Sequence, residues 1–332
     1  MQPPLRVRQD DAQYQQDLVD EAAFFDRPQF FGPEGAELVP KDDPIDQHNN
    51  RRLTGDPLVR WYETIARYGS FRRGMFLGVS GVHQERRILE TNPALEMEFI
   101  DASPESLALR EQQLGRAFAG RVRTRVADLN FIELPERQYD VIVSSSALHH
   151  IQNIEHVAAQ VNRALVPGGY FFLQDYVAEE RFQFSDTKKR VFEAFLAYEK
   201  RRGLLAEATQ PAFPPLEPWE HSPFEAIRSS DTLDVLASYL EQVSVRTTGA
   251  MTGLVVFVPP AGPPPRGLPL STRLLRPIAS HLPPRARALL PLGARARIDP
   301  RFLADLLLLD DVCCDSGIVQ PYNAFAVYRK KS

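Results

Sequence analysis

Between Arg73 and Tyr176 short apolar runs alternate with helix-length stretches of mixed polarity, the pattern of strand–helix–strand units that feed a parallel sheet. Gly74-Met75-Phe76-Leu77 leads into Gly78-Val79-Ser80-Gly81-Val82. Leu95 to Ile100 ends on Asp101, and Arg123 to Ala127 ends on Asp128. Tyr139 to Val143 delivers Ser144, Ser145 and Ser146, then the pair His149-His150. Ala164-Leu165-Val166-Pro167-Gly168-Gly169 precedes the run Tyr170 to Leu173. Helices are expected over Gln13 to Phe25, from a cap at Asp56 with Pro57 in the first turn to Tyr68, from a cap at Ser103 with Pro104 behind it, and over 186–205. Pro300 to Ser316 reads as a buried helix and Ala324 to Tyr328 as a closing strand. The chain therefore divides into a helical N-terminal lid (1–72), an α/β core (73–177), substrate-side helices and late core strands (178–258), a Pro/Arg-rich insertion (259–300), and a last helix and strand (301–332).

Length and composition narrow the class. The 332 residues leave room for one large α/β domain with additions or two modest ones. A hydrophobic content of 43% and a charged content of 25% are those of an ordinary globular protein. The net charge of −4 argues against a general nucleic-acid binder, which must neutralise phosphates. The two cysteines, Cys313 and Cys314, are adjacent, which disfavours a routine disulfide and fits a reducing compartment. Without an apolar signal core at Met1 to Arg6 or a run of roughly 20 apolar residues, the expected location is the cytoplasm. The stretch 259–300 holds 11 of the 28 prolines and 7 arginines, with no acid before Asp299. It is either a long insertion or a basic-apolar surface for peripheral contact with an anionic membrane or a lipid-linked substrate.

Chemistry enters at the strand ends. Gly78 and Gly81 allow backbone amides to approach a ligand closely. Asp101, 23 residues beyond Gly78, stands where a carboxylate accepts from both hydroxyls of a ribose. Asp128, between Ala127 and Leu129, can accept from an exocyclic adenine amine while apolar neighbours cover the ring.

In order and spacing these residues resemble the class I S-adenosylmethionine-dependent methyltransferases over 70–177. The matching residues are the Leu77-Gly78 turn, Glu85, Asp101, Ala127-Asp128-Leu129, Tyr139-Asp140-Val141-Ile142, Ala147-Leu148-His149-His150 and Leu165-Val166-Pro167-Gly168-Gly169. The resemblance implies a Rossmann-like, mostly parallel seven-stranded sheet with its last hairpin reversed. It also implies an S-adenosylmethionine pocket at the carboxyl ends of the first strands. Gly78, Ser80, Gly81, Glu85, Asp101, Ala102, Asp128, Leu129 and Ser144 are the candidate cofactor residues. A narrower resemblance links Asn50 to Pro57, Asp175-Tyr176-Val177 with Arg181-Phe182-Gln183, and Ser222 to Ser230 to a bacterial group often associated with surface-glycan genes. The loop departs from the family pattern, with Phe76 at the usual acidic place, Ser80 and Val82 at the second and third glycines, and a branched Val82 on a turn that prefers none.

For transfer to a hydroxyl, a base must stand beside an acceptor held in line. His149 and His150 are the candidates for base or orienter, or else shape the pocket wall, and Asp175 completes the catalytic set. Tyr176 faces the acceptor side, and Arg228 either binds an anionic substrate group or forms a buried ion pair. The histidines show no metal-ligand spacing along the sequence, so no metal is expected. The expected activity is O-methylation of a sugar-containing or other small polar acceptor, carried free or on a glycan or lipid. A natural-product enzyme using the cofactor as a scaffold and a non-catalytic partner subunit are the alternatives.

Overall fold

The strands are β1 (Arg73–Leu77), β2 (Glu96–Asp101), β3 (Val122–Val126), β4 (Tyr139–Ser145), β5 (Leu165–Tyr176), β6 (Glu241–Thr248) and β7 (Asn323–Arg329). In the computed structural model, which describes residues 5–25, 43–79, 81–205, 222–256 and 299–331, they form one sheet in the order β3-β2-β1-β4-β5-β7-β6. β1 to β5 pair in parallel, and β7 enters antiparallel between β5 and β6. The fold is thus the Rossmann-like, reversed-hairpin α/β sheet that the sequence resemblance implies. β6, whose residues are largely exposed or half-buried, carries too little apolar signal to be found by pattern.

Helices cover both faces, as a mostly parallel sheet requires. On one face α5 (Ile154–Ala164) and α7 (Thr232–Tyr239) bury Ile154, Val157, Val161 and Leu236 against Ile142, Phe171 and Leu173. On the other, α3 (Val82–Thr91), α4 (Pro104–Gly115) and the 3-10 turn Trp61–Tyr68 bury Ile88, Leu107, Trp61 and Ile65 against Phe76, Phe99, Val143 and Phe172. Phe76 and Phe99 are register partners whose rings stack at 5.8 Å. α4 starts as expected, with the Ser103 hydroxyl accepting from Ser106 N at 2.9 Å.

Three expectations change. No helix starts at Asp56; instead α2 (Pro44–Thr54) is capped by Asp43, whose side chain accepts from Ile45 N and Asp46 N, and Gly55 ends it. Pro167 to Gly169 lies inside β5 as an irregularity, where the β4 register slips between Tyr139 and Val141. α8 (Pro300–Ser316) buries only one face: Phe302, Leu306 and Cys313 are enclosed while Leu308 and Val312 are at least half exposed.

The chain divides into two compact units. Met1–Phe184, Leu216–Gly249 and Gln320–Ser332 make the first, which holds the whole sheet and α1 (Ala12–Phe25). Ser185–Pro215 and Ala250–Val319 make the second, which holds α6 (Asp186–Arg201) and α8. Within the second unit Phe195 meets Phe302 at 5.2 Å, and the fully buried Asp310 accepts from Met251 N and Thr252 N at 2.7 and 2.8 Å. No described helix is long and apolar enough to cross a membrane. Most of the Pro/Arg-rich stretch, 259–298, lies outside the described residues.

Phe76 has zero exposure at the sheet centre, so Phe76→Ala is expected to lower stability by roughly 3–5 kcal/mol. Urea unfolding of the full chain measures this, and a loss below about 1 kcal/mol would show that the ring is not a core brace.

Candidate active site

Parallel register gathers the chemistry at one edge of the sheet. Leu77 pairs with Ile100 on one side and Ser144 on the other. The residues that follow therefore leave β1, β2 and β4 side by side, where strand order diverges to either side of β1 and a crevice opens. A cleft of about 370 Å³ lies there, within the roughly 300–1,000 Å³ usual for small-molecule sites. Gly78 has φ +73°, and a Cβ on it would stand 2.4 Å from the Ala147 Cβ. Only glycine permits this turn at this separation. Asp101 holds both flanks of the crevice mouth, accepting from Val79 N at 2.9 Å and Ser103 N at 2.8 Å.

Gly78, Gly81, Asp101, Ala102, Asp128 and Leu129 line the cleft, as do His83 and Gln84 from the first turn of α3. Ser80 lies outside the described residues. Two expected cofactor residues sit elsewhere. Ser144 is fully buried and donates to the Leu77 carbonyl at 3.1 Å, bracing β1 against β4. Glu85 is buried in an ion pair with Arg110 of α4, and it is Arg110 that reaches the cleft. Val82 is not on the turn but is the first residue of α3, packed into the core below.

Sequence reasoning placed α1 in the N-terminal lid but assigned none of its residues to the site. Its Leu18, Glu21 and Ala22 form a wall of the cleft. The Tyr14 hydroxyl donates to Asp128 Oδ2 at 2.7 Å and accepts from the Asn130 amide at 2.8 Å, and its ring stacks on Phe224 at 5.4 Å. Burial first, and then the Asp128 charge, pushes the Tyr14 hydroxyl well above its ordinary pKa, so it stays a donor. Glu21 accepts from the Ser222 hydroxyl at 2.7 Å and Phe224 N at 3.1 Å, tying α1 to the 222–228 segment. Nothing local in the sequence of α1 marks these polar ties, which reach distant segments of the chain.

The 3-10 turn Leu148–His150 places the two imidazoles 4.0 Å apart. His149 is buried, with Nδ1 2.5 Å from Asp175 Oδ1 and Nε2 3.4 Å from Glu225 Oε1. Burial works against charge on this ring, but the charge and hydrogen bond of Asp175, aided by Glu225, prevail and push its pKa up to about 10. Asp175 has no exposure; it also accepts from Leu148 N and Tyr176 N at 2.8 Å each, so it positions His149 rather than meeting a ligand. His150 lines the cleft, with Nδ1 2.6 Å from Glu21 Oε1 and Nε2 3.9 Å from Glu225 Oε2. Glu225 was missed by sequence reasoning because nothing local marks it. Left-handed backbone at Arg181, Phe182 and Ala226 (φ +54°, +53° and +50°) borders it, with Arg181 N donating to the Ala226 carbonyl at 2.8 Å.

Two expected substrate residues are structural. All five N–H groups of Arg228 are engaged, by Glu155, Asp231 and the Gln152 carbonyl, at 2.6–3.1 Å. None remains for an anionic substrate, so the buried ion pair is the outcome. Tyr176 is buried, donates to the Glu179 carbonyl at 2.7 Å and sits edge-on to His149 and Tyr322.

Residues 84–171 match the methyltransferase-domain family. Its match spans β2 to β5 and takes in both strand-ending acids and the histidine pair. This stretch of the chain is a methyltransferase domain. No curated protein matches the sequence. Among solved structures, the chain is similar to a Galdieria sulphuraria protein described as a sarcosine dimethylglycine methyltransferase, at 14% identity over 94% of this chain and 98% of that one, with a TM-score of 0.49. It is also similar to geranyl diphosphate C-methyltransferase from Streptomyces coelicolor (11% identity, 97% of this chain and 100% of that one, TM-score 0.48). A third is an S-adenosylmethionine-dependent methyltransferase from Mesorhizobium loti (16% identity, 81% and 95%, TM-score 0.44).

The donor set of the cleft fits S-adenosylmethionine. The crowded Gly78 turn leaves backbone free of side chain, and Asp101, whose oxygens accept the amides of Val79 and Ser103, lies on the cleft wall. Asp128 with Leu129 offers a carboxylate beside an apolar surface for the base. Asp101→Ala removes both ties at the crevice mouth as well as a ligand acceptor. It is expected to weaken S-adenosylhomocysteine binding by at least about 1.5–3 kcal/mol, tenfold or more, in calorimetric titration; unchanged affinity would remove Asp101 from the site. Arg228→Met should leave that affinity intact while lowering stability, toward the lower end of roughly 3–5 kcal/mol because its partners are part-exposed. Denaturant unfolding and calorimetry on one sample separate the two effects, and lost affinity with full stability would restore a binding role.

Proposed function

We propose that this methyltransferase methylates an oxygen of a small polar acceptor, sugar-containing or of comparable polarity. The observation that carries the reading is His150 on the cleft wall, set between Glu21 and Glu225 with His149 and Asp175 fixed behind it. Bound S-adenosylmethionine supplies an electrophilic methyl group on a charged sulfur. The chain's own residues hold it through the Gly78 turn, Asp101 and Asp128, and align the acceptor against it. α1 shields the cleft from water through Leu18 and Ala22. As the acceptor oxygen forms its new bond to carbon its proton must leave, and the cluster around His150 receives it. Hydroxyls suit this wall, to which Glu21 and His150 contribute a carboxylate and an imidazole. The composition of 259–300 would bring a lipid-carried acceptor close to an anionic membrane; that part of the proposal rests on sequence.

The test pairs calorimetry with S-adenosylhomocysteine and mass spectrometry of products from a panel of hydroxyl acceptors. His150→Ala should bind the cofactor product as the native chain does and lose roughly 10²–10⁴ in turnover. Full turnover in His150→Ala, or product methylated only on nitrogen or carbon, would overturn the reading.

A further inference from the structure

His149, His150 and Glu225 offer donor atoms that all lie within 4.8 Å of one another. Linear spacing hides this, because Glu225 arrives from a distant segment and the Leu148–His150 turn brings the two rings together. Nε2 of His149 is 3.4 Å from Glu225 Oε1, and Nε2 of His150 is 3.9 Å from Oε2. Both separations are long for good hydrogen bonds. They are near the roughly 3.4 Å between two ligands that share a tetrahedral ion about 2.1 Å from each. Behind the rings, Nδ1 of His149 meets Asp175 at 2.5 Å and Nδ1 of His150 meets Glu21 at 2.6 Å. The carboxylate hydrogen-bonded to Nδ1 of His149 is the support that turns Nε2 toward a metal and fixes the ring, and Glu21 sets a second carboxylate beside His150. Three carboxylates converge on two imidazoles, a surplus of negative charge that a divalent cation offsets.

We propose that His149, His150 and Glu225 bind one divalent first-row transition metal of the zinc class, with Asp175 and Glu21 orienting the histidines. Two imidazoles and one carboxylate select against Mg²⁺ and Ca²⁺, which take oxygen ligands. Three protein ligands leave a coordination position open. Because His150 and Glu21 line the cleft, that position receives the acceptor oxygen. This role rests on the acceptor reading above, whereas binding of the ion does not. With the ion in place both Nε2 atoms are ligands, and the proton that His149 otherwise keeps is released to solvent as the ion binds. The acceptor's O–H bond then breaks with its electron pair left on the metal-held oxygen, and the proton passes to Glu21.

The experiment titrates the untagged, chelator-treated full chain with Co²⁺, followed by visible absorption, and with Zn²⁺ by calorimetry. One equivalent of Co²⁺ is expected to give the intense bands of low coordination number and to be displaced by Zn²⁺. Glu225→Gln, equal in size, should weaken binding more than tenfold, and Glu225→Asp should recover part of the loss. Asp175→Asn should weaken it roughly 10–100-fold by releasing His149, with circular dichroism and thermal melting confirming that each variant is folded. Absence of binding in the folded native chain overturns the proposal, as does affinity unchanged in both Glu225→Gln and His150→Ala. Metal binding intact without any oxygen-methylated product supports the site and counts instead against the acceptor reading.

Discussion

Everything at the site depends on β1 being paired in parallel on both sides. Leu77 faces Ile100 and Ser144, so three chain segments reach the same sheet edge together and must each turn there. Parallel strands place all their carboxyl ends on one side, and backbone groups beyond the last pair have no ladder partner. The chain meets that demand with Asp101, which accepts the amides of Val79 and Ser103. One carboxylate therefore both finishes the sheet and shapes the crevice. Where β1, β2 and β4 end fixes where the cofactor goes, before any contact with the ligand is considered.

A second constraint runs at right angles to the first. Asp175 follows the β5 residue Gln174, which pairs with Ser145, and so reaches the turn that carries the histidines. It accepts from Leu148 N and from His149 at once. The position of the histidine pair is thereby set by the sheet, not by loop preference. Glu225 and Glu21 then approach from the 222–228 segment and from α1, which are themselves tied together through Ser222 and Phe224. The acceptor wall is assembled from four separate parts of the chain. Loss of any one leaves buried charge without its counterpart, which is costly in a low-dielectric site.

That division explains what the sequence discloses. Strands buried on both faces read as continuous apolar runs, so β1, β4 and β5 stand out, and the acids that end β2 and β3 are visible because their strands are. Ser103 with Pro104 announces α4 by local capping chemistry alone. The polar ties of Tyr14, Glu21 and Glu225 are invisible because each joins residues more than 70 positions apart and none leaves a periodic trace. Arg228 shows the converse: a lone arginine before two serines suits a ligand or an ion pair equally well, and only the geometry of Glu155 and Asp231 decides between them. The Asp56-Pro57 pair misleads for a related reason. Its capping signal is genuine, but Gly55 has already ended α2, and Asp56 only caps the turn to Leu58, donating no helix.

The irregular first loop takes on a different meaning in this setting. An acid at position 76 would stand at zero exposure between β2 and β4, against Phe99 and Val143. Burying a carboxylate there without a partner costs far more than the ring contact it would replace. Phe76 and Phe99 instead form a matched pair across the strands, so at this position the departure from the family pattern is filled core. Val82 points the same way, since its branched side chain belongs to the first turn of α3 and fills the core below. The features that a ligand would meet are retained: the left-handed Gly78 turn, Asp101, and Asp128 with Leu129.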